Sequence, residues 1–188
     1  LHRGDAGARR AHLIGHGRPG VTPGRFAPDA PSDTTVISCV AEAGAGQKPV
    51  VNFDPVGELE LPGENGQRVA FPPFLEVIEF VEKRRFSELV LSDPGPMGLT
   101  GLLAARLLGV RAVGIYRELL ADHILEITGE EAVERLARQY LAWFYGQMDL
   151  VVVSKEGMRE KLARSGFEPD KIHVMDSGDW TNQRVVAG

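Results

Sequence analysis

The chain is poor in cysteine, with a single residue, Cys39, among 188. One cysteine excludes an internal disulfide and a cysteine metal cluster. It lies in the apolar run TTVISCV, where a buried structural thiol is expected rather than a nucleophile. Because this cysteine usage fits a reducing compartment, we expect a cytoplasmic protein.

Long apolar runs and blocks of like charge are also missing. No run approaches the length of a membrane span, and no apolar signal-peptide segment follows the N-terminal arginines. The net charge is −5 and no basic run is present, so nucleic-acid binding is not expected. The His-x-x-His, His-Glu-x-x-His and EF-hand patterns are absent, so we expect neither a metal site nor a cofactor.

The composition is that of an ordinary globular domain, with 43% hydrophobic and 25% charged residues. A length of 188 residues suffices for one domain with a real core. We predict an irregular segment rich in Gly, Pro and Arg at 1–33, a domain at 34–180, and a tail or linker at 181–188. The first residue is Leu rather than Met, so a fragment or a processed start is expected.

The irregular segment contains GHGRPG, a literal G-x-G-x-x-G, at residues 15–20. A dinucleotide-binding fingerprint needs a strand before it and a helix after it. His12–Ile14 is only a very short strand candidate, and three prolines in the following VTPGRFAPDAP exclude a helix. We therefore do not interpret these glycines as a dinucleotide site.

Regular patterning begins at Asp33. Short β-branched runs predict strands, and apolar residues at helical spacing predict helices between them. The predicted strands are TTVISCV, PVVNF, ELVLS, VRAVGIY, DLVVVS and KIHVM, with a polar loop or small hairpin at GELELPGENGQ. This alternation predicts an α/β fold: a Rossmann-like three-layer domain with a mostly parallel sheet and helices on both faces.

Several helix boundaries can be predicted as well. A helix from about Met97 to Leu108 should end at Gly109, which suits the left-handed position after a helix. Thr128 opens a capping box, and Ser154 is expected to cap the helix that follows DLVVVS. The nearly uniform apolar character of DLVVVS predicts a strand buried inside the sheet.

Ligands of such sheets bind beyond the carboxyl ends of the strands, which makes the loops there informative. In the loop DPGPMG, the candidate residues Pro96, Met97 and Gly98 open a helix. A helix N-terminus favours anions, and Gly98 would let a ligand approach the backbone. The alternative is that Pro and Gly only make the turn.

Two further loops carry candidate polar residues. Arg117 and Glu118 follow a strand, and Arg117 could pair with a phosphate or carboxylate. His123 could act as a base or donor, although the same stretch also reads as an amphipathic helix with solvated charges. Ser154 could face a cleft as well as cap a helix.

Taken together, several motifs resemble the N-terminal domain of family 4 glycosyltransferases, which have the two-domain GT-B architecture. The similarity is carried by GLTGLLAARLLGVRAVGIY and by QYLAWFYGQMDLVVVSKEGMREKLARSGFEPDKIHVMDSGD. Its strongest elements are D-x-V-x-V-S with the following helix, residues 149–166, and the K-I-x-V strand at residues 171–174. It covers roughly Val36 to Asp179.

The resemblance implies transfer of a sugar from a nucleotide-sugar donor to a sugar or lipid-linked acceptor, with retained anomeric configuration. It implies that this domain shapes the acceptor side of the cleft and that the donor binds mainly to a C-terminal domain. It also implies that this chain alone is an incomplete, inactive fragment. The expected cleft residues are Pro96, Met97, Gly98, Arg117, Glu118 and Ser154, and no catalytic residue is assigned. A lipid-linked acceptor would add peripheral contact with the inner membrane face.

The sequence departs from the family in three places. Arg117, Glu118 and Leu119 stand where members often have His-Thr-Asp, and Arg117 cannot act as a neutral base. The first strand and its glycine-rich loop are not recognisable before Val36, and the donor domain is missing. Two alternatives therefore stay open: a non-catalytic α/β binding module, and half of a related sugar-nucleotide epimerase.

Overall fold

The structure, a computed structural model, describes residues 9–14, 34–39, 50–60, 68–116 and 130–175. Within these ranges the strands are β1 (Arg10–Ile14), β2 (Thr35–Ser38), β3 (Val50–Asn52), β4 (Gly57–Glu60), β5 (Arg68–Phe71), β6 (Glu88–Leu91), β7 (Arg111–Ile115), β8 (Leu150–Val153) and β9 (Ile172–Val174). The helices are α1 (Phe74–Arg84), α2 (Pro96–Leu108), α3 (Glu131–Gly146) and α4 (Glu156–Arg164), with a 3₁₀ turn at Pro169–Lys171.

Seven strands form one parallel sheet in the order β3-β2-β1-β6-β7-β8-β9. Strand β1 lies inside the sheet. From β1 the chain runs through β2 to the edge strand β3, returns to β6 on the other side of β1, and continues through β7 and β8 to the opposite edge at β9. The predicted parallel α/β sheet is confirmed. The reversal of strand order between β1 and β6 is the position where open α/β sheets bind ligands.

Strand β1 corrects the expectation that residues 1–33 are irregular. Ala11 and Leu13 are fully buried in it, and β1 pairs with β2 on one side and β6 on the other. A strand therefore does precede the one at Val36, contrary to the reading of the sequence. The run RAHLI is short and carries two cationic or polar side chains, so its burial depends on neighbours that are distant in sequence. The glycines at 15–20 and the boundaries predicted at 33 and 180 lie outside the described residues.

The sheet carries its main core on one face. All four helices among the described residues pack on this face, against strand side chains that point to it: Ala11, Leu13, Ile37, Cys39, Leu89, Leu91, Ala112, Val151, Val153 and Ile172. Alternate side chains on the opposite face are buried too: Ile14, Val36, Val90, Val113, Leu150 and Val152. Helices on that second face stay a prediction. Burial of each Val, Leu or Ile side chain contributes about 1.5–3 kcal/mol.

Two glycines allow the helices to lie close to the sheet. A Cβ on Gly101 of α2 would come within 2.5 Å of Leu91 and 2.7 Å of Leu13. A Cβ on Gly114 of β7 would lie 2.9 Å from both Met148 and Tyr145. All four distances are shorter than those of real Cβ contacts. A side chain at Gly101 or Gly114 would therefore push a helix away from the sheet.

The structure confirms some predicted boundaries and corrects others. Helix α2 ends at Leu108, and Gly109 has φ +65° with its N–H donating to the Ala105 carbonyl, as expected. Strand β8 is buried and paired on both sides, also as expected. The prediction that Ser154 caps α4 is wrong, because the N-cap is Lys155 and has no side-chain cap hydrogen bond. Thr128 lies outside the described residues.

The hairpin between β3 and α1 was one of two readings of its sequence. Strands β4 and β5 pair antiparallel, so the hairpin reading is confirmed. Its second strand begins at Arg68, one residue beyond GELELPGENGQ. Strand β5 also contacts α2, which places the hairpin beside the helical layer rather than at the edge of the parallel sheet.

A charged row ties three strands together at the amino edge of the sheet. Arg10, Glu88 and Arg111 begin β1, β6 and β7 and are register partners. Arg10 Nε lies 2.5 Å from Glu88 Oε1, and Arg111 Nη1 lies 3.4 Å from Glu88 Oε2. The Glu88 side chain is only 11% exposed, so its charge is stabilised mainly by the two guanidinium groups.

We expect Glu88→Ala to lower the free energy of unfolding by about 2 kcal/mol, because two partly buried guanidinium groups lose their carboxylate. Urea denaturation measures the change. The matched control is Glu79→Ala, which removes an ion pair with Lys83 on the exposed face of α1 and should change stability by less than about 0.5 kcal/mol. Equal effects of the two substitutions would contradict this reading of the charged row.

Candidate functional site

The candidate site lies at the carboxyl edge of the sheet, beside the ends of the neighbouring strands β1 and β6, where the strand order reverses. The loop of residues 92–95 leaves β6 there and leads directly into the first turn of α2. Among the described residues it brings a hydroxyl, a carboxylate and a helix N-terminus to the reversal point of the strand order. These groups come from a region that the sequence had marked only by its Gly and Pro residues.

The middle of this loop is fixed by two hydrogen bonds. The Asp93 carboxylate accepts the Gly95 N–H at 2.6 Å. The hydroxyl of Tyr140, from α3, donates to the Pro94 carbonyl. Because the second bond comes from a different helix, the position of the loop depends on how α3 packs beside α2.

The beginning of the loop is hydrogen bonded to strand β1. The Ser92 N–H donates to the Leu13 carbonyl at 3.4 Å, and the Ser92 hydroxyl is hydrogen bonded to His12 Nε2. His12 is only 5% exposed, on the sheet face opposite the described helices. His12 was not among the predicted site residues, because residues 12–14 formed only a very short strand candidate within a segment expected to be irregular. A polar residue inside an otherwise apolar run was the available signal.

A second polar pair lies at the ends of the next two strands. Ser38, the last residue of β2, donates its hydroxyl to Asn52 Oδ1 at 2.8 Å, and Asn52 is the last residue of β3. Their strand positions are in register with Ile14 at the end of β1. Polar residues therefore end β2 and β3 and directly follow β6, at the same edge of the sheet.

The structure gives Met97 and Gly98 packing roles. Met97 is 0% exposed, so its side chain belongs to the core and does not line a cleft. A Cβ on Gly98 would lie 1.8 Å from the Asp93 carbonyl oxygen and 3.2 Å from Phe144. The lack of a side chain at Gly98 is thus explained by the loop backbone, without a ligand. Contact of either residue with a substrate, through its first-turn N–H group, stays a prediction.

The other candidate residues lie farther along the same edge or outside the described ranges. Pro96 is partly exposed at the first position of α2. Ser154 is exposed just after β8, and its hydroxyl lies 3.3 Å from the Met158 sulfur. Arg117 and Glu118 follow the end of β7 in the sequence and lie outside the described residues. The structure therefore brings together the loop of residues 92–98, with Ser154 two strands away.

Two side chains near this edge have raised pKa values. Burial, and then the Asp93 carboxylate, raise the pKa of Tyr140 to about 12, so its hydroxyl stays a donor to the loop at any ordinary pH. Burial, with smaller contributions from Glu58 and Asp54, raises the pKa of the Cys39 thiol to about 11. Cys39 is fully buried, which confirms the expected structural thiol.

A cavity of about 220 Å³ lies elsewhere, between the end of α3 and the turn that precedes β9. Gly146, Gly166 and Ile172 are among its lining residues, which places it at the amino edge of the sheet. No group of three metal-ligating side chains occurs within the described ranges. None of the helices described there is long and apolar enough to cross a membrane.

With this geometry in place, comparison with known proteins identifies the family. Residues 15–178 match the glycosyl transferase 4-like domain, which is most of the chain. The chain belongs to the glycosyl transferase 4-like domain family. The resemblance to the N-terminal half of a family 4, GT-B glycosyltransferase is thereby confirmed. A search of curated proteins finds no match.

Solved structures show the same fold at low sequence identity. Anabaena Alr3699/HepE, in complex with UDP and glucose, has a TM-score of 0.58 at 14% identity, over 90% of this chain and 44% of that chain. A UDP-N-acetylglucosamine 2-epimerase has 0.53 at 16%, over 89% and 48%. The UDP-GlcNAc 2-epimerase of Methanocaldococcus jannaschii has 0.51 at 16%, over 88% and 44%. This glycosyl transferase 4-like chain spans less than half the length of these proteins.

We expect Gly98→Ala to lower the free energy of unfolding by about 3 kcal/mol, because the new methyl group overlaps the Asp93 carbonyl and must displace the loop. Thermal unfolding measures the change. The control is Gly157→Ala in α4, where nothing lies within 4 Å, and there a gain of about 0.5–1 kcal/mol is expected. A neutral Gly98→Ala would show that the loop is not packed as described.

Proposed function

We propose that this domain forms the acceptor side of a glycosyltransferase cleft. In the proposed reaction, the bond between the anomeric carbon and the diphosphate oxygen of a nucleotide sugar breaks. The anomeric carbon bonds to the oxygen of an acceptor hydroxyl, whose proton passes to the departing nucleoside diphosphate, and the anomeric configuration is retained. The observation that carries the proposal is the family match over residues 15–178. It is supported by the polar loop that lies where the strand order of the sheet reverses.

The charge of this loop favours a neutral ligand over a diphosphate. The N-terminus of α2 would by itself attract an anion. Asp93, however, lies three residues before the first helical residue, and its carboxylate already accepts the Gly95 N–H, so a phosphate there would face a like charge. Hydroxyl groups of a sugar have no such penalty and can donate to a carboxylate or accept from an N–H. This supports an acceptor site at the loop.

The diphosphate of the donor would then be held mainly by a second domain, where basic side chains and helix N-termini stabilise the leaving group. This chain covers only 44% of two of the solved structures, and this supports the presence of a second domain in the whole protein. The acceptor is a sugar or a lipid-linked sugar. Ser154 and Arg117 are proposed to extend the cleft beyond the loop. A cytoplasmic location belongs to the proposal and is supported by the single buried cysteine.

A sugar-nucleotide epimerase is the second candidate. It is favoured by the similarity of fold to two UDP-N-acetylglucosamine 2-epimerases. An epimerase would change the configuration of the sugar of a UDP-sugar and would need no acceptor. The two functions therefore differ in whether a free sugar binds at the loop.

We expect the chain, titrated separately with methyl glycosides and with UDP-glucose, to show amide chemical-shift changes at residues 92–98 with a methyl glycoside. UDP-glucose should bind this chain with a Kd above about 1 mM, corresponding to less than roughly 4 kcal/mol of binding free energy. Tight UDP-glucose binding at the loop, with no response to any sugar, would contradict the acceptor-side assignment. Conversion of UDP-N-acetylglucosamine to its C2 epimer would support the second candidate instead.

We expect Asp93→Asn to strengthen UDP binding about fivefold, which corresponds to roughly 1 kcal/mol of like-charge repulsion removed near a protein surface. The amide oxygen can still accept the Gly95 N–H, so the loop keeps its shape. Calorimetric titration with UDP measures the change. Asp149→Asn is the matched control, since Asp149 also accepts a backbone N–H, from Ala112, but at the amino edge. An unchanged UDP affinity in Asp93→Asn would remove the electrostatic argument.

A further inference from the structure

His12 is an unusual residue for its place in the sheet. It lies on the interior strand β1, it is 5% exposed, and its register partners on the two neighbouring strands are Val36 and Val90. Beyond Val90, the same register row continues through Val113 and Leu150. An apolar β-branched side chain would pack in this row without a hydrogen bond. An imidazole there needs a hydrogen bond to offset the loss of its hydration.

The imidazole makes its bond to the candidate site. His12 Nε2 is hydrogen bonded to the Ser92 hydroxyl, on the first residue after β6. The Ser92 N–H also donates to Leu13, the neighbour of His12 in the chain. Ser92 is thus bonded to β1 twice, and the side-chain bond fixes the direction of its hydroxyl.

The position of Ser92 in turn determines the position of the loop that follows it. Its next residue, Asp93, places its carbonyl in the space left by Gly98 and its carboxylate on the Gly95 N–H. A shift of Ser92 would therefore move the carboxylate and the first turn of α2 together. His12 is the side chain of β1 that reaches this chain of contacts among the described residues.

We propose that His12 is a positioning residue, which acts through the Ser92 hydroxyl to hold the loop of residues 92–98 in its ligand-binding geometry. The chemical class of the ligand, a neutral sugar hydroxyl, rests on the proposed function. The positioning itself does not, because it follows from the contacts of His12 and Ser92. Val occupies the register positions on both sides of His12, and the bond from the imidazole to Ser92 links this row to the loop.

The test compares His12→Val with Ser92→Ala, using Ser87→Ala as the matched control. Ser87 precedes β6 as Ser92 follows it, and its hydroxyl bonds to the Arg9 carbonyl at the far edge. In both His12→Val and Ser92→Ala we expect exchange of the Gly95 and Leu99 amide hydrogens, which donate to the Asp93 carboxylate and to the Gly95 carbonyl, to accelerate about tenfold, with exchange in the last turns of α2 unchanged. The thermal midpoint of His12→Val should not fall, because Val matches its row. Ser87→Ala should leave loop exchange unchanged.

The double variant decides whether His12 acts through Ser92. Its loop exchange should equal that of Ser92→Ala alone, since both changes remove the same bond. Multiplicative acceleration, unchanged loop exchange in either single variant, or a lowered thermal midpoint with faster exchange throughout α2 would each overturn the proposal. Ser92→Ala keeps the test valid even if His12→Val fails to fold.

A methyl glycoside titration of the same variants separates this inference from the proposed function. If the unsubstituted chain binds a methyl glycoside, His12→Val should weaken that binding about fivefold, the factor for one neutral hydrogen bond. A chain that binds no sugar contradicts the proposed function while the exchange result still decides the role of His12. Weaker sugar binding without faster loop exchange would overturn the positioning role.

Discussion

Strand β1 pairs with β6 over four register positions, and the rest of the site depends on this pairing. It joins a strand from the start of the chain to one that begins 78 residues after it, Arg10 to Glu88. Leu13 and Leu91 meet in the pair, and both are fully buried under Gly101 of α2. The close approach of helix and sheet at this point sets where α2 begins. The loop of residues 92–95 has to bridge the remaining distance.

The two edges of the sheet are used differently. At the amino edge, Glu88 pairs with both Arg10 and Arg111 in a compact row that links three strands. At the carboxyl edge, the polar groups are bonded to the backbone or to each other in pairs, such as Ser38 with Asn52. A site for a neutral, hydroxyl-rich ligand needs orientation more than net charge, which fits the second edge. The charged row and the proposed recognition site thus lie at opposite ends of the same strands.

The fold is shared with proteins that are only 14–16% identical to this chain. Such divergence is possible because a parallel sheet requires alternating burial and small residues at helix contacts, and many sequences meet these conditions. Within the glycosyl transferase 4-like family, function must therefore reside in the loops at the carboxyl edge. The loop after β6 owes its Pro and Gly residues to the turn and to packing against Phe144. Ser92, Asp93 and the helix N-terminus are the polar groups that this loop offers to the proposed ligand.

Local patterns in the sequence determined the parallel strands β2, β3, β6, β7, β8 and β9, the end of α2 at Gly109, and the parallel α/β architecture, whereas the β4–β5 hairpin was one of two interpretations. These features could be predicted because hydrophobic periodicity, turn residues and helix caps each depend on only a few neighbouring residues. The tertiary structure alone decided that RAHLI is a buried interior strand, since its burial comes from partners 24 and 78 residues away. It also decided that Met97 is core and that Gly98 makes room for the Asp93 carbonyl. The bond from His12 to Ser92 has the same origin: it exists only because the sheet brings the two residues side by side.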